Sequence, residues 1–398
     1  MKSSNVRVLL VCTRDWYGAA RLPAALARVG FEVVTVSFPS ALVLTTRHVS
    51  ERLLLPTHAP DSALIQALAR AIERASADWV IPGDDPAVEL LHALFRSSTS
   101  EGGAHVQRVL QRSLGEPTHF AEVQSRRALH RTAQSLGVRV PEHETVSELG
   151  QALAFARRVG LPIVLKTENS CAGFGTWICE TEDAIKNAFA RLVGKSDGAA
   201  LRAGVTAERF IDGRVAMRLV MSAEGAVLGG LSALKLRTHP APTGPSTVVE
   251  FTEHAEMAES AAKLTRAWGL SGFASFDFMV EHQSADAYLI ELNPRPTPIC
   301  HLGGRFGDDV CGAFYTRATG VAPAQQLSRH PGSTVALFPQ EWIRDPASSD
   351  ISGSYHDVPW DDPLLVQALC TNGVAEQAWS HLGHEEQRRE GLRRIAER

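Results

Sequence analysis

The sequence contains no Cys-x-x-Cys pair, no basic excess and no apolar stretch near the roughly 20 residues that a membrane-spanning helix requires. The six cysteines (Cys12, Cys171, Cys179, Cys300, Cys311 and Cys370) therefore form no zinc framework or thioredoxin-type motif, and read as reduced thiols of a cytoplasmic protein. Lys and Arg total 40 against 44 Asp and Glu, a net charge of -4, whereas nucleic-acid binders usually carry a basic excess. The N-terminal MKSSNVRVLLVCTRDW offers only about seven apolar residues before Arg14 and Asp15, too few for a signal-peptide core. Two nucleotide fingerprints are also missing. The absence of G-x-x-x-x-G-K-[ST] excludes a P-loop, and TRDWYGAA, after the first apolar run, lacks the G-x-G-x-x-G of a dinucleotide site.

What is present suits a globular protein. The 398 residues are 44% apolar and 21% charged, enough for two or three domains of about 150 residues each. VRVLLVCT (6–13) and FEVVTVSF (31–38) are apolar runs suited to strands buried on both faces of a parallel sheet. Leu64, Leu68, Ile72 and Ala75 follow the helical period over 61–77, with Asp61 as the expected N-cap. A strand, a Pro/Gly turn and a helix follow over 79–94, and SSTSEGGAHV (97–106) reads as a polar loop. This alternation predicts an open α/β sheet for residues 1–115. Beyond a helix over 119–136, strands joined by glycine-bearing turns occupy 161–179, 208–221 and 272–298, with amphipathic helices over 180–193 and 253–270, an α+β texture. A strand is expected over 333–342, a packed acidic turn over 357–363 and a solvated helix over 385–398.

Two segments carry chemistry. In AYLIELNPRPTP, Glu291 and Asn293 alternate along a strand and share a face, with Leu292 on the other. Asp277, on FASFDFMV, can pair with that strand through a hairpin, so that two carboxylates and an amide oxygen converge as hard ligands for Mg²⁺. Arg295 follows, placed to meet an anion. In PIVLKTENSCAGFGT, Lys166 ends an apolar strand and a small-residue loop follows, containing Ser170, Gly173 and Gly175. A lysine with a loop of little bulk can approach phosphate oxygens.

In order, SRRALHRTAQSLGVRVP, LKTENSCAGFGT, ERFIDG and FDFMV…ELNPRP resemble the motifs of the ATP-grasp superfamily over residues 5–325, in style nearest the biotin carboxylase and carbamoyl-phosphate synthase branch. The resemblance implies a Rossmann-like domain at 1–115, an ATP-grasp domain at 116–325 with a mobile lid near 140–212, and a C-terminal extension at 326–398. It implies that Lys166 and Arg126 contact the phosphates, that the loop with Ser170, Gly173 and Gly175 closes over them, and that Glu208 with the backbone of Arg209 and Ile211 receives adenine. Asp277, Glu291 and Asn293 would hold two Mg²⁺ ions (Mn²⁺ being the alternative), and Arg295 would stabilise charge at the γ-phosphate. Lys235 and Arg237, on LSALKLRTHPAPTG, would border the acceptor.

Two positions depart from the family pattern. Val215 stands where many members bind ribose with Glu, which leaves Asp212 as a substitute, and Ser275 stands where some ligases carry Arg. The expected activity is an ATP-dependent ligase joining a carboxylate to an amine or thiol through an acyl phosphate, with ATP and Mg²⁺ as cofactors. The expected partners are small molecules and a second copy of the chain, with neither nucleic acid nor membrane. The alternatives are a bicarbonate-using carboxylase or carbamoyl-phosphate-type enzyme, with no Met-Lys biotinylation signature in the chain, and a non-catalytic nucleotide-binding module.

Overall fold

An apolar run with no polar face can be satisfied only between two packed layers, and the computed structural model places the first such run there. It describes residues 6–98, 103–167, 176–194, 205–241, 244–324, 327–330 and 332–371. Strands β1 (Arg7–Val11), β2 (Glu32–Ser37), β3 (Glu51–Leu54) and β4 (Trp79–Pro82) form a parallel sheet in the order β3-β2-β1-β4. The helix Asp61–Ala75 buries Leu64, Leu68, Ile72 and Ala75, as its period requires, but Pro60 holds the N-cap and Asp61 is the first helical residue. The expected polar loop over 97–106 is shorter than read, because a helix begins at Ala104 and runs to Leu114; residues 99–102 lie outside the described set.

The turn after β4 is built around Asp84. Its carboxylate caps the helix Asp85–Ser97 by accepting from Ala87 N, and also accepts from Thr13 N, Thr13 Oγ1 and Arg14 N at 2.6–2.8 Å. One side chain thus ties together the loops at the carboxyl ends of β1 and β4, where ligands of open α/β sheets gather.

Strands β5 (His143–Val146), β6 (Ile163–Thr167), β7 (Thr176–Cys179) and β8 (Val205–Arg209) form a second, antiparallel sheet in the order β5-β8-β6-β7. Ile163, Leu165, Val205 and Ala207 turn one face onto the helices Leu149–Val159 and Glu182–Gly194. By alternation, Lys166, Glu208 and His143 occupy the other face.

The third sheet has seven strands: β9 (Gly213–Ala223), β10 (Ala226–Thr238), β11 (Ser246–Thr252), β12 (Gly272–Glu281), β13 (Ala287–Asn293), β14 (Thr334–Ala336) and β15 (Tyr355–His356), ordered β13-β12-β9-β10-β11-β14-β15. Gly213 opens β9 because a Cβ there would lie 2.2 Å from Val280 O. Ala216, Val220, Phe276 and Phe278 cover the helix Ala255–Ala267, whereas Met217, Leu219, Leu231, Ala233 and Phe273 join Val8, Leu10, Trp79 and Ile81 of the parallel sheet in a common core.

The segment after residue 326 is not a separate appendage. β14 and β15 complete the seven-stranded sheet, and the strand expected over 333–342 is limited to β14, with a helix at Gln340–Arg344. The acidic turn at 357–363 packs as read. Asp357 receives Arg21 at 2.9 Å and His301 at 2.7 Å, and Asp362 receives Thr46 Oγ1 at 2.5 Å, so these carboxylates tie this segment to residues 21, 46 and 301. The tail at 385–398 lies outside the described residues. No helix among the described residues is long and apolar enough to cross a membrane.

Phe276 is fully buried on the face opposite Asp277. Phe276→Ala is expected to destabilise the protein by about 3–5 kcal/mol through lost transfer energy and the cavity left behind, measured by urea unfolding.

Candidate nucleotide and metal site

On the exposed-facing side of the second sheet, Lys166 Nζ meets Glu208 Oε2 at 2.7 Å with both side chains buried. Burial alone would raise the Glu208 carboxyl, but Lys166, His130 and Arg126 outweigh it and hold the group below the ordinary carboxylate value. Arg126 and His130 come from the helix Arg126–Ser135, whose N-terminus Ser125 caps by accepting from Ala128 N. Arg126 Nη1 donates to Thr167 O, next to Lys166. One helical turn on, the buried His130 ring lies 4.4 Å from that of His143, and its Nε2, like Glu208 Oε1, has no hydrogen-bond partner among the described residues.

The carboxylates project from the third sheet. Asp277 is directly opposite Glu291, and Ser275 is opposite Asn293. Strict alternation would put Leu289 and Glu291 on one face, yet Leu289 packs against the helix Ala255–Ala267 and Glu291 stands with Asp277. The change of face comes from a β-bulge at Ile290, where Phe278 pairs with Leu289 and Asp277 with Glu291. Lys235 shares the face and donates to Asp277 Oδ2 at 2.7 Å. Burial first, and then the neighbouring Asp277, push the Glu291 carboxyl up, while Arg126, Lys235 and Lys166 pull it down. Lys166 reaches Glu291 from the second sheet, Lys235 from the third and Arg126 from the helix Arg126–Ser135, so the Lys166 face and the carboxylate face are turned toward one another.

Arg295 is 13% exposed and donates Nε to Asp85 Oδ1 at 2.7 Å and Nη2 to Asp85 Oδ2 at 2.9 Å and to Asn293 Oδ1 at 3.1 Å. Its guanidinium lies 5.2 Å from the centroid of the Trp16 ring.

Not every expected residue joins this group. Arg237, beyond an irregularity in the β10–β11 pairing, forms an ion pair with Asp350 instead. The N–H of Arg209 is taken by Glu142 O at 2.8 Å, and its guanidinium lies 5.5 Å from the Tyr288 centroid. Ile211 follows β8 with its side chain buried, and Asp212 is exposed in the turn that leads to Gly213. Ser170, Gly173 and Gly175 lie outside the described residues. The sequence reading missed His130, Asp85 and Trp16. The signal for Asp85 was available in GDDP, a carboxylate pair at a strand-to-helix turn, whereas His130 had no distinguishing context.

Among the described residues no three His, Cys, Asp or Glu side chains converge as a metal cluster. The set is two facing carboxylates and an amide oxygen, and the upward push of Asp277 on Glu291 is the like-charge strain that a divalent cation relieves. Mg²⁺ commonly takes only one or two carboxylates, with waters and phosphates completing its shell, so these residues fit it.

Residues 125–297 match the family model of the carbamoyl-phosphate synthase L chain, ATP binding domain. The carbamoyl phosphate synthase large chain of Rubrobacter xylanophilus is 23% identical over 290 residues, 70% of this chain and 26% of that one. The chain thus spans about a quarter of that relative's length. Biotin carboxylase from Campylobacter jejuni, solved with β-γ-ATP, superposes with TM-score 0.61 at 20% identity, covering 81% of this chain and 73% of that one. N5-carboxyaminoimidazole synthetase from Staphylococcus aureus gives 0.58 at 12% (80% and 78% covered), and L-amino acid ligase from Bacillus licheniformis 0.55 at 15% (81% and 75%). The fold is the one these ligases and carboxylases share. The family match is thus to an ATP-binding domain at 125–297, and the likeness to these solved structures is one of fold.

His130 yields a pH test. Burial lowers its pKa from 6.5 to about 3, so between these values the unfolded chain takes up a proton that the native state refuses. The stability it contributes is complete above pH 6.5 and declines as pH falls toward 3. Urea unfolding at pH 7 and pH 5 is expected to show a loss smaller by about 2 kcal/mol in His130→Gln than in the wild type.

Proposed function

We propose that the protein is an ATP-dependent ligase that joins a small-molecule carboxylate to an amine, or to a thiol, through an acyl phosphate. The observation that carries this reading is the convergence of Lys166, Arg126 and Lys235 on the Asp277–Glu291 pair. A site with cations opposed to carboxylates suits a polyphosphate nucleotide with its metal better than a neutral ligand.

In this scheme the substrate carboxylate attacks the γ-phosphorus in line, the bond to the β-phosphate oxygen breaks, and ADP leaves. The nucleophile then adds to the acyl carbon and expels phosphate. The chain forms no covalent bond; its part is positioning and charge neutralisation. Lys166 from the second sheet and Arg126 from the helix Arg126–Ser135 hold the phosphates, and Arg295 meets the charge that develops on the transferred group. Mg²⁺ bound by Asp277, Glu291 and Asn293 supplies further neutralisation of the triphosphate. Lys235, paired with Asp277, borders the acceptor in this scheme. The segment 140–212 acts as a lid that excludes water from the acyl phosphate.

A coupled ADP-release screen over carboxylic acids, amino acids and bicarbonate, with Mg²⁺, tests the reading. Release that depends on an acid and a nucleophile together supports it; release driven by bicarbonate alone supports the carboxylase alternative, and no release with any acid supports a binding module. With the active pair, Glu291→Ala should abolish turnover, and near-normal activity in that variant would refute the metal assignment. Arg295→Ala should cost about 10²–10³ in kcat, as loss of an oxyanion donor does elsewhere.

A further inference from the structure

The first domain carries no nucleotide fingerprint, yet it builds a fitted receptor for one side chain of the second. Asp85, at the start of the helix after β4, takes Arg295 bidentately at 2.7 and 2.9 Å. Trp16 lies against the same guanidinium at 5.2 Å. Both are themselves fixed. Asp84 pins the neighbouring turn to Thr13 and Arg14, Trp16 Nε1 donates to Gly83 O at 2.9 Å, and the indole rests on Gly18, where a Cβ would lie 2.4 Å from Trp16 Cη2.

Donor accounting shows what this receptor leaves open. A guanidinium has five N–H groups. Asp85 takes the fork formed by Nε and Nη2, and Asn293 Oδ1 takes the second hydrogen of Nη2 at 3.1 Å. Nη1 is left, among the described residues, with only a 3.5 Å contact to Pro296 O. We propose that Asp85 is a positioning residue for Arg295: with Trp16 it locks the guanidinium so that Nη1 is the donor presented to the γ-phosphoryl group. This rests on the nucleotide reading given above. Under it, the first domain acts on the phosphoryl end of the nucleotide without binding the nucleotide itself, and Asn293 is oriented by the same guanidinium.

Calorimetry on the full chain with Mg²⁺ and either ADP or the β,γ-imido analogue of ATP tests the proposal without the acceptor being known. The wild type should bind the triphosphate more tightly than ADP. Asp85→Asn, an isostere that loses the charge-assisted fork, should cut that preference about tenfold and leave ADP affinity unchanged. Asp85→Glu should restore part of the preference. In an Arg295→Gln background, Asp85→Asn should have no further effect. An unchanged preference in Asp85→Asn, an equal loss in both backgrounds, or a wild type that does not distinguish the two nucleotides overturns the role of Asp85. A wild type that binds neither nucleotide overturns the nucleotide reading as well.

Discussion

Asp277, which is buried, and the half-buried Glu291 stand opposite one another on adjacent strands, and much of the surrounding structure answers the electrostatic problem that this creates. Two carboxylates so placed repel, and burial adds to the penalty, which is why Glu291 is pushed above its ordinary value despite three nearby cations. Lys235 relieves part of the strain by direct contact with Asp277; Lys166 acts from the second sheet and Arg126 from the helix Arg126–Ser135. None of these groups is placed at random along the chain. Lys166 and Glu208 project from the face of their sheet opposite its apolar core, whereas Lys235 and Asp277 share their face with the core residues Leu231, Ala233 and Phe273.

The same pairing governs readiness for a ligand. Lys166 holds Glu208, Lys235 holds Asp277 and Asp85 holds Arg295, so the charges that the proposed chemistry uses are already matched within the protein. A polyphosphate with its cation exchanges these partners instead of creating charge in a dry cleft, and an exchange is far less costly than burying an unpaired ion. The pairs differ in one respect. Lys166–Glu208 and Lys235–Asp277 are single contacts that a ligand can share or replace, whereas Arg295 is held by a fork, an amide oxygen and an indole face, and has one nitrogen to spare.

Periodicity made the first strands and the helix at Asp61–Ala75 legible in the sequence, because apolar spacing reports directly on which face is buried. The motif order pointed to the ATP-binding domain that the family model matches at 125–297, and the hairpin expected to carry Asp277, Glu291 and Asn293 is present. Its geometry was not readable. Alternation alone would have grouped Leu289 with Glu291, and only the bulge at Ile290 separates them. A bulge inserts one residue with no fixed chemical signature, so a single sequence does not disclose it. Arg237 illustrates the same limit: a second irregularity lies between it and Lys235, and it leaves the cleft for Asp350. Residues after 326 were obscure for a different reason. β14 and β15 are strands of three and two residues, stabilised by long-range pairing and not by any local pattern.

The first domain shows most clearly how a fold element can acquire a role that its own motifs do not announce. Without a glycine-rich turn its sheet has no evident ligand, and its strand ends are free to serve another domain. The carboxyl ends of β1 and β4 still converge, because parallel strands bring their loops together, and Asp84 fastens those loops into a single rigid edge. A rigid edge that carries Asp85 and Trp16 constrains an arginine arriving from β13 more strongly than β13 could alone, since β13 ends only two residues before it. Shared packing between Trp79, Ile81 and Leu10 on one side and Met217, Leu219 and Phe273 on the other keeps that edge in register with the carboxylate strands. Loss of this core packing would therefore be felt at Arg295 before it was felt at Lys166, whose support comes from the second sheet.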